Sequence, residues 1–329
     1  MNFDRCVPRE SVHKAAEGEV LLTDAQRLGD DRFAVAALWN RDHYLAHHGG
    51  PASDPVLLAE TARQTAIHVS HRFLGVAYGM PFVLSEISVD LFEALPPVGA
   101  EPLAVGLDVV CRAPAEGARR LRLELEAEVL VRHRSVGRVR VAWEPMEPRR
   151  YALLRRRGGQ APDEAPPRHQ PPHVTPSHVP SSHFPLPYVP LPPARVGQLA
   201  ERDVLIAAAD PHRAGRWWLR LDQDHPVLFD HESDHVPGMM LVEAFRQAGR
   251  VAAADSRPGA SGVTRLAVTF SAFGELAVPV AITAEPAERT DPAGTVFTLR
   301  ARQGDRELAH ATVRHGRADP AWSRLGEAC

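Results

Sequence analysis

Lysine is nearly missing from this chain. Of its 38 basic residues, only Lys14 is a lysine and the other 37 are arginines. A GC-rich coding bias accounts for the shortage, and on that reading Lys14 has no assigned role. Any phosphate or carboxylate site must then be built from arginine, histidine or backbone N–H groups. Cysteine is scarce too: Cys6, Cys111 and Cys329 stand far apart. That spacing gives neither a disulfide framework nor a zinc pattern. No apolar run approaches the ~18 residues of a membrane span, and the start, Met-Asn-Phe-Asp-Arg-Cys, has no apolar signal core. A reducing cytoplasm is the expected location. Net charge is −3, so the chain as a whole has no electrostatic case for nucleic acid or an anionic membrane.

What the chain does have is a repeat. Asp54-Pro55-Val56-Leu57-Leu58-Ala59-Glu60-Thr61-Ala62-Arg63-Gln64 returns as Pro237-Gly238-Met239-Met240-Leu241-Val242-Glu243-Ala244-Phe245-Arg246-Gln247, with Glu-x-x-Arg-Gln at an offset of 183. Val20–Thr23 matches 204–207, and Phe33–Trp39 matches 217–221, both at 184. Asp42-His43 pairs with Asp224-His225 at 182. The shared order marks an internal duplication.

Each copy predicts one long helix. The first runs from Asp54 to about Leu74, with Asp54 as N-cap, Pro55 at the first helical position and Gly75 at the end. The second runs from Pro237-Gly238 to about Ala254 and stops before Pro258-Gly259. The apolar residues of the first helix wrap most of its circumference, so it is buried. Period-two segments follow each helix: 82–89, 103–110, 121–132 and 136–143, then 263–270, 278–284, 296–302 and 307–314. The fold class is α+β, with each half a long buried helix against an antiparallel sheet. The domains are 1–150 and 195–329. A Pro- and His-rich linker, 151–194, is expected to be extended and coreless. Its histidines, His169, His173, His178 and His183, have no fixed geometry for a metal.

A buried helix wrapped by a sheet, entered through a histidine loop and Pro-Gly-x-x-x-x-Glu-Ala-x-x-Gln, resembles the hotdog dehydratases. Two copies with Glu-x-x-Arg-Gln, Asp230-His231…Asp234-His235-Val236-Pro237-Gly238 and His71-Arg72-Phe73-Leu74-Gly75 resemble the A-factor biosynthesis hotdog family more closely. That resemblance implies a tandem double hotdog making γ-butyrolactone, butenolide or furan signalling molecules. A β-ketoacyl thioester, on acyl carrier protein or coenzyme A, would be joined to dihydroxyacetone phosphate, and the ester would cyclise to a butenolide or furan precursor. No metal or organic cofactor is implied, and a homodimer stays open.

This chemistry needs a base, an oxyanion donor and a cation for phosphate. Glu243 follows the apolar run 239–242, a setting suited to a general acid/base. Arg246 shares its helix face and its planar fork suits phosphate. Glu60 is the second acid/base or positioning carboxylate. Arg63, Gln64 and Gln247 are substrate-binding candidates, the glutamines as donors to a carbonyl. The helix start at Gly238 and Met239 offers unpaired N–H groups, and Met239-Met240 either lines an acyl tunnel or packs in the core. His231 and His235 either face the ligand or brace the loop; His43, His47 and His48 are structural. Arg149, Arg150, Arg155, Arg156 and Arg157 form a solvated edge, or else a dock for an acidic carrier or coenzyme A phosphates. The alternatives are a hotdog dehydratase or thioesterase, or a non-catalytic binder of an acyl or lactone ligand.

Overall fold

Alternating apolar residues and one wrapped helix per half leave a single efficient arrangement, a curved sheet closed around each helix. The computed structural model describes residues 1–45, 53–114, 121–158, 189–209, 215–256, 262–287 and 294–316. The linker histidines, His47 and His48 lie outside these residues.

The N-terminal half contributes β1 (Leu22–Arg27), β2 (Arg32–Trp39), helix α1 (Pro55–Phe73), β3 (Phe82–Leu91), β4 (Leu103–Arg112), β5 (Leu123–Val131) and β6 (Arg134–Pro145). Helix α2 (Pro148–Gly158) follows, and then the short β7 (Val189–Pro190) and α3 (Pro193–Val196). The C-terminal half adds β8 (Ile206–Ala208), β9 (Arg216–Leu219), α4 (Gly238–Ser256), β10 (Val263–Phe270), β11 (Ala281–Pro286), β12 (Gly294–Gln303) and β13 (Arg306–Gly316). The thirteen strands form one antiparallel sheet in the order β1-β2-β4-β5-β6-β3-β10-β13-β12-β11-β9-β8-β7.

Both helices form for the reasons the sequence gives. Asp54 accepts a hydrogen bond from Val56 N at 2.8 Å, and Pro55 opens α1. Gly75, at φ 70°, follows the helix end. Val56, Leu57 and Leu58 are fully buried, and each is worth ~1.5–3 kcal/mol relative to exposure. Gly249 lets α4 lie close to β13: a Cβ there would meet Val313 Cγ1 at 3.1 Å.

Strands β3 and β10 join the halves. They pair antiparallel, Val89 against Leu266 and Ile87 against Val268, with all four side chains buried. Arg265 bonds Asp90 across the same seam at 3.0 Å.

Two expectations need correction. Residues 151–158, the start of the expected linker, belong to a helix that begins at Pro148: Tyr151 and Arg155 anchor this segment to the other half, a tertiary gain invisible to local composition. The pairing of Asp42-His43 with Asp224-His225 gives way to an offset of 184. Arg41 holds Glu19 through two bonds of 2.7 and 2.6 Å, and His225 holds Asp203 at 3.2 Å.

Candidate active site

The repeated Glu-x-x-Arg-Gln builds the same local device twice. In α1, Arg63 Nε and Nη2 donate to the two oxygens of Glu60, each at 2.8 Å. Gln64 Nε2 donates to Glu60 Oε1 at 2.9 Å and to the Glu19 carbonyl at 2.8 Å, while its Oε1 accepts from Leu21 N at 2.9 Å. In α4, Arg246 Nε and Nη2 donate to Glu243 at 2.7 and 2.6 Å. Gln247 donates to Glu243 and the Asp203 carbonyl, each at 2.8 Å, and accepts from Leu205 N at 2.8 Å.

Both Nε2 hydrogens of each glutamine are therefore committed to the protein. Gln64 and Gln247 pin the chain entering the first strands of their halves and have no donor left for a substrate carbonyl. The sequence could not show this, because one acceptor of each, the Glu19 or Asp203 carbonyl, sits more than forty residues away.

The halves diverge one layer out. Lys14 Nζ lies 3.3 Å from Glu60 Oε1 and 4.0 Å from Asp230 Oδ2, its side chain only 3% exposed. At offset 184, Gln198 occupies that place in the second half and donates to Glu243 Oε1 at 2.7 Å. The same turn delivers both residues: Lys14 N donates to Arg9 O at 3.0 Å, and Gln198 N to Pro193 O at 2.9 Å. The residue before each has positive φ, 73° at Gly197 and 54° at His13. A histidine in that conformation is uncommon and carries some strain.

A cavity of about 1150 Å3 opens between the halves on the Lys14 side. Its walls include Lys14, Glu60, Arg63, Asp230, His231 and His235, with Gly238 and Met239 at the start of α4. Phe82, Leu84, Leu241 and Phe270 give it an apolar wall. Glu243, Arg246, Gln64 and Gln247 are not among its lining residues. Met239 lines the cavity while itself nearly buried; Met240 is core. Arg246 bonds Glu243 and the Val196 carbonyl at 3.1 Å, and Asp54 Oδ2 lies 3.6 Å away; its Nη1, like that of Arg63, has no partner among the described residues. His43 Nδ1 stands 3.7 Å from the same Asp54 oxygen.

Each half's helix is served by the other half's loop. Asp230, from the loop before α4, accepts from Ala15 N at 3.1 Å and pairs with His231 Nδ1 at 2.6 Å. His235 Nδ1 pairs with Asp234 at 2.6 Å and the ring packs edge-on to Phe273. With Asp230 accepting from Nδ1–H, neutral His231 keeps a lone pair on Nε2.

The electrostatics favour ions. Burial alone would push the Glu60 carboxyl up, but Arg63, Lys14 and Gln64 outweigh it and hold Glu60 well below the usual carboxylate range. Burial likewise opposes the Asp230 charge, and His231 and Lys14 reverse that. Glu60 is thus a fixed anion. Its surroundings do not suit it to take protons at neutral pH, and it positions the two cations. Arg63 uses Nε and Nη2 on Glu60, so Nη1 keeps its donors for a ligand.

Behind these groups lies His13. Burial, then Arg63, His71 and His231, lower its pKa to about 3. His71 Nδ1 can only donate to the Val76 carbonyl at 2.9 Å, so its Nε2 accepts from His13 Nε2, 3.0 Å away. His13 is a neutral, oriented ring in the wall.

Lys14 is the site residue the sequence reading missed. The irregular lead-in hid it, though carrying the 184 offset back to Gln198 exposes it as the place where the copies differ.

The A-factor biosynthesis hotdog domain matches this chain at residues 2–147 and 181–316. The chain is 35% identical over 302 residues to a 2-oxo-3-(phosphooxy)propyl 3-oxoalkanoate synthase of Streptomyces virginiae, covering 91% of this chain and 94% of that protein. A synthase of the same name from Streptomyces griseus is 32% identical over 251 residues, 73% of each chain. Among solved structures, the 12:0-ACP thioesterase from Umbellularia californica aligns with a TM-score of 0.49 at 10% identity, covering 86% of this chain and 94% of that one. A MaoC-like dehydratase aligns at 0.47 and 12%, covering 82% and 85%. At these values neither likeness bears on the chemistry.

Proposed function

The chain belongs to the A-factor biosynthesis hotdog family, and we propose from that membership and from its cavity that it joins a 3-oxoacyl thioester to dihydroxyacetone phosphate. The product is a 2-oxo-3-(phosphooxy)propyl 3-oxoalkanoate. One observation carries the placement of the reaction: the sole lysine, an arginine with free donors and an Asp-held histidine converge on one cavity with an apolar wall.

The roles follow from geometry. His231 Nε2 takes the proton from the primary hydroxyl of dihydroxyacetone phosphate, with Asp230 fixing the tautomer and stabilising the imidazolium that forms. The hydroxyl oxygen bonds to the acyl carbon, the C–S bond breaks, and the proton passes from His231 to the departing thiolate. Arg63 Nη1 and the Lys14 ammonium serve the phosphate and the oxyanion, where preorganised donors act most strongly. Glu60 holds both cations in place. His235 supports the loop through Asp234, and Phe82, Leu84 and Phe270 take the acyl chain. Burial of that chain excludes water, which would otherwise hydrolyse the thioester.

The sequence reading set Glu243 and Arg246 first. The proposed order is now Lys14, Arg63, Glu60 and His231, with Glu243 and Arg246 as a buried scaffold pair. The carrier is acyl carrier protein or coenzyme A.

Thiol release tests the reading. Purified protein is mixed with a 3-oxoacyl thioester, with or without dihydroxyacetone phosphate, and free thiol is followed. Release only with both substrates is the expected result. Release with thioester alone would make the protein a thioesterase. Ligand binding without turnover would make it a binder.

A further inference from the structure

Helix α2 is not needed to complete either hotdog, yet it is firmly placed. Arg155 Nε donates to Asp234 Oδ2 at 3.0 Å, and Nη2 to the Asp234 carbonyl at 2.7 Å. Its Nη1 and Nη2 grip Glu275 at 3.0 and 3.1 Å. Tyr151 Oη donates to Asp234 Oδ1 at 3.0 Å, and its ring packs edge-on to Phe273. A helix that ends the N-terminal half is thereby bolted to the C-terminal half. Tyr151 and Leu154 also line the cavity, so α2 forms part of its rim.

The opposite face of α2 is different. Arg149, Leu153 and Arg156 are spaced i, i+4, i+7 and share one stripe. All three are exposed, Leu153 at 53%. Arg150 is engaged by Glu144 at 2.7 Å and Arg155 by the pair above. Arg149 and Arg156 have no ion-pair partner among the described residues. The helix itself contains no acidic residue, within a chain whose net charge is −3. A bare leucine flanked by two unspent arginines, on a rigid shelf at the cavity rim, is an unusual local excess.

We infer that this face docks an acyl carrier protein, a small acidic domain that presents its thioester on a flexible phosphopantetheine arm. The inference rests on the thioester reading above and deepens it by placing the carrier's docking surface. Two features favour a protein over the nucleotide end of coenzyme A. The stripe lies on a convex helix, whereas small ligands bind in concave sites. It also presents an apolar side chain inside a charged rim, the layout of a protein–protein contact. Arginine is enriched at such contacts. The carrier's acidic surface meets Arg149 and Arg156, its apolar contact covers Leu153, and its arm enters past Tyr151 and Leu154.

The experiment measures binding and turnover side by side. Binding of a phosphopantetheine-bearing acyl carrier protein is titrated against the wild type and against Arg149→Glu/Arg156→Glu. Turnover with dihydroxyacetone phosphate is measured for the same 3-oxoacyl group on carrier protein, on coenzyme A and on bare pantetheine. The expected result is carrier binding weakened by about tenfold or more, a matching rise in KM for the carrier-bound thioester, and unchanged turnover of the pantetheine thioester. Raising salt should weaken the wild type toward the variant. Leu153→Asp should reproduce the loss. The inference is overturned if carrier binding is unaffected by all these changes, or if the loss falls on the coenzyme A thioester alone. Equal loss on all three thioesters would show that α2 only braces the cavity, and would also overturn it. Absence of wild-type turnover on every thioester, with carrier binding still dependent on Arg149 and Arg156, would remove the reaction reading and leave the docking face standing.

Discussion

Lys14 and Gln198 reach the same carboxylate position from the same turn in the two halves, one with a cation and the other with a neutral amide. Around Glu60 the array of Lys14, Arg63 and Asp230 leaves cationic donors facing a cavity. Around Glu243 stand a neutral amide, the Val196 carbonyl and Asp54, and neither Glu243 nor Arg246 lines that cavity. The lesson is that Glu-x-x-Arg-Gln is first a folding device. The buried pair and the glutamine clamp fix a helix to its first strands in both halves. Chemistry is added by what stands beside it.

The contrast is broken most directly at the carboxylates. Glu60→Gln should lower turnover per folded enzyme by about 10²–10³-fold, the scale of losing a preorganised charge arrangement. Glu243→Gln should leave that turnover near wild type and instead cost about 3–5 kcal/mol of stability, because Arg246 stays buried without its partner. Steady-state kinetics and chemical denaturation on both variants decide it. Lost activity in a Glu243→Gln protein as stable as wild type would reverse the assignment of the two halves.

A finer cut swaps one half's residue into the other. Lys14→Gln gives the first half the amide of the second and should cost roughly 10²-fold in turnover, with Lys14→Arg partly restoring it. Gln198→Ala should cost only about 1 kcal/mol of stability, the scale of one hydrogen bond, and leave turnover unchanged. Equal kinetic effects from both variants would mean that both sites work.

The smallest effect separates the halves by acid. His13 and His68 are held near pKa 3 and 4, each chiefly by burial, with nearby arginine and histidine charge adding to it. Their counterparts at offsets of 184 and 183 are Gly197 and Val251. A histidine whose folded pKa is depressed binds its proton later than the unfolded chain does. Its penalty on stability therefore begins as pH falls below about 6.5 and is complete near the folded value. Glu60 behaves otherwise: its depressed carboxyl stabilises the fold in full above the ordinary value of 4.5 and loses that contribution progressively in stronger acid. His68→Val should flatten the decline between pH 6.5 and 4, read by urea unfolding at both ends. An unchanged slope would rule His68 out as its source.

Much of this was legible beforehand. The 183 and 184 offsets, the two helices with their caps and most strands follow from periodicity and turn chemistry, because those signals are local. Arg63 and Glu60 were also named in advance, since a charge on a buried helix face demands a partner, and His231 was named from the histidine loop before α4. What escaped depended on contacts distant in sequence. Gln64 and Gln247 read as free donors until Glu19 and Asp203 are seen to use them. The sign of the Glu60 shift depends on Arg63 and then on Lys14, which stands 46 residues earlier in the chain. Helix α2 looked like linker because its stability comes from Asp234 and Glu275.

Contacts crossing between halves, Asp230 to Lys14 and Asp54 to Arg246, have a consequence in symmetry. In a two-fold dimer of one hotdog chain every substitution appears in both sites at once. A turn bearing lysine in one copy and glutamine in the other is then impossible. Covalent fusion lifts that constraint while keeping both loops within reach of both helices. One site is free to specialise for two dissimilar substrates, and the other is free to become ballast.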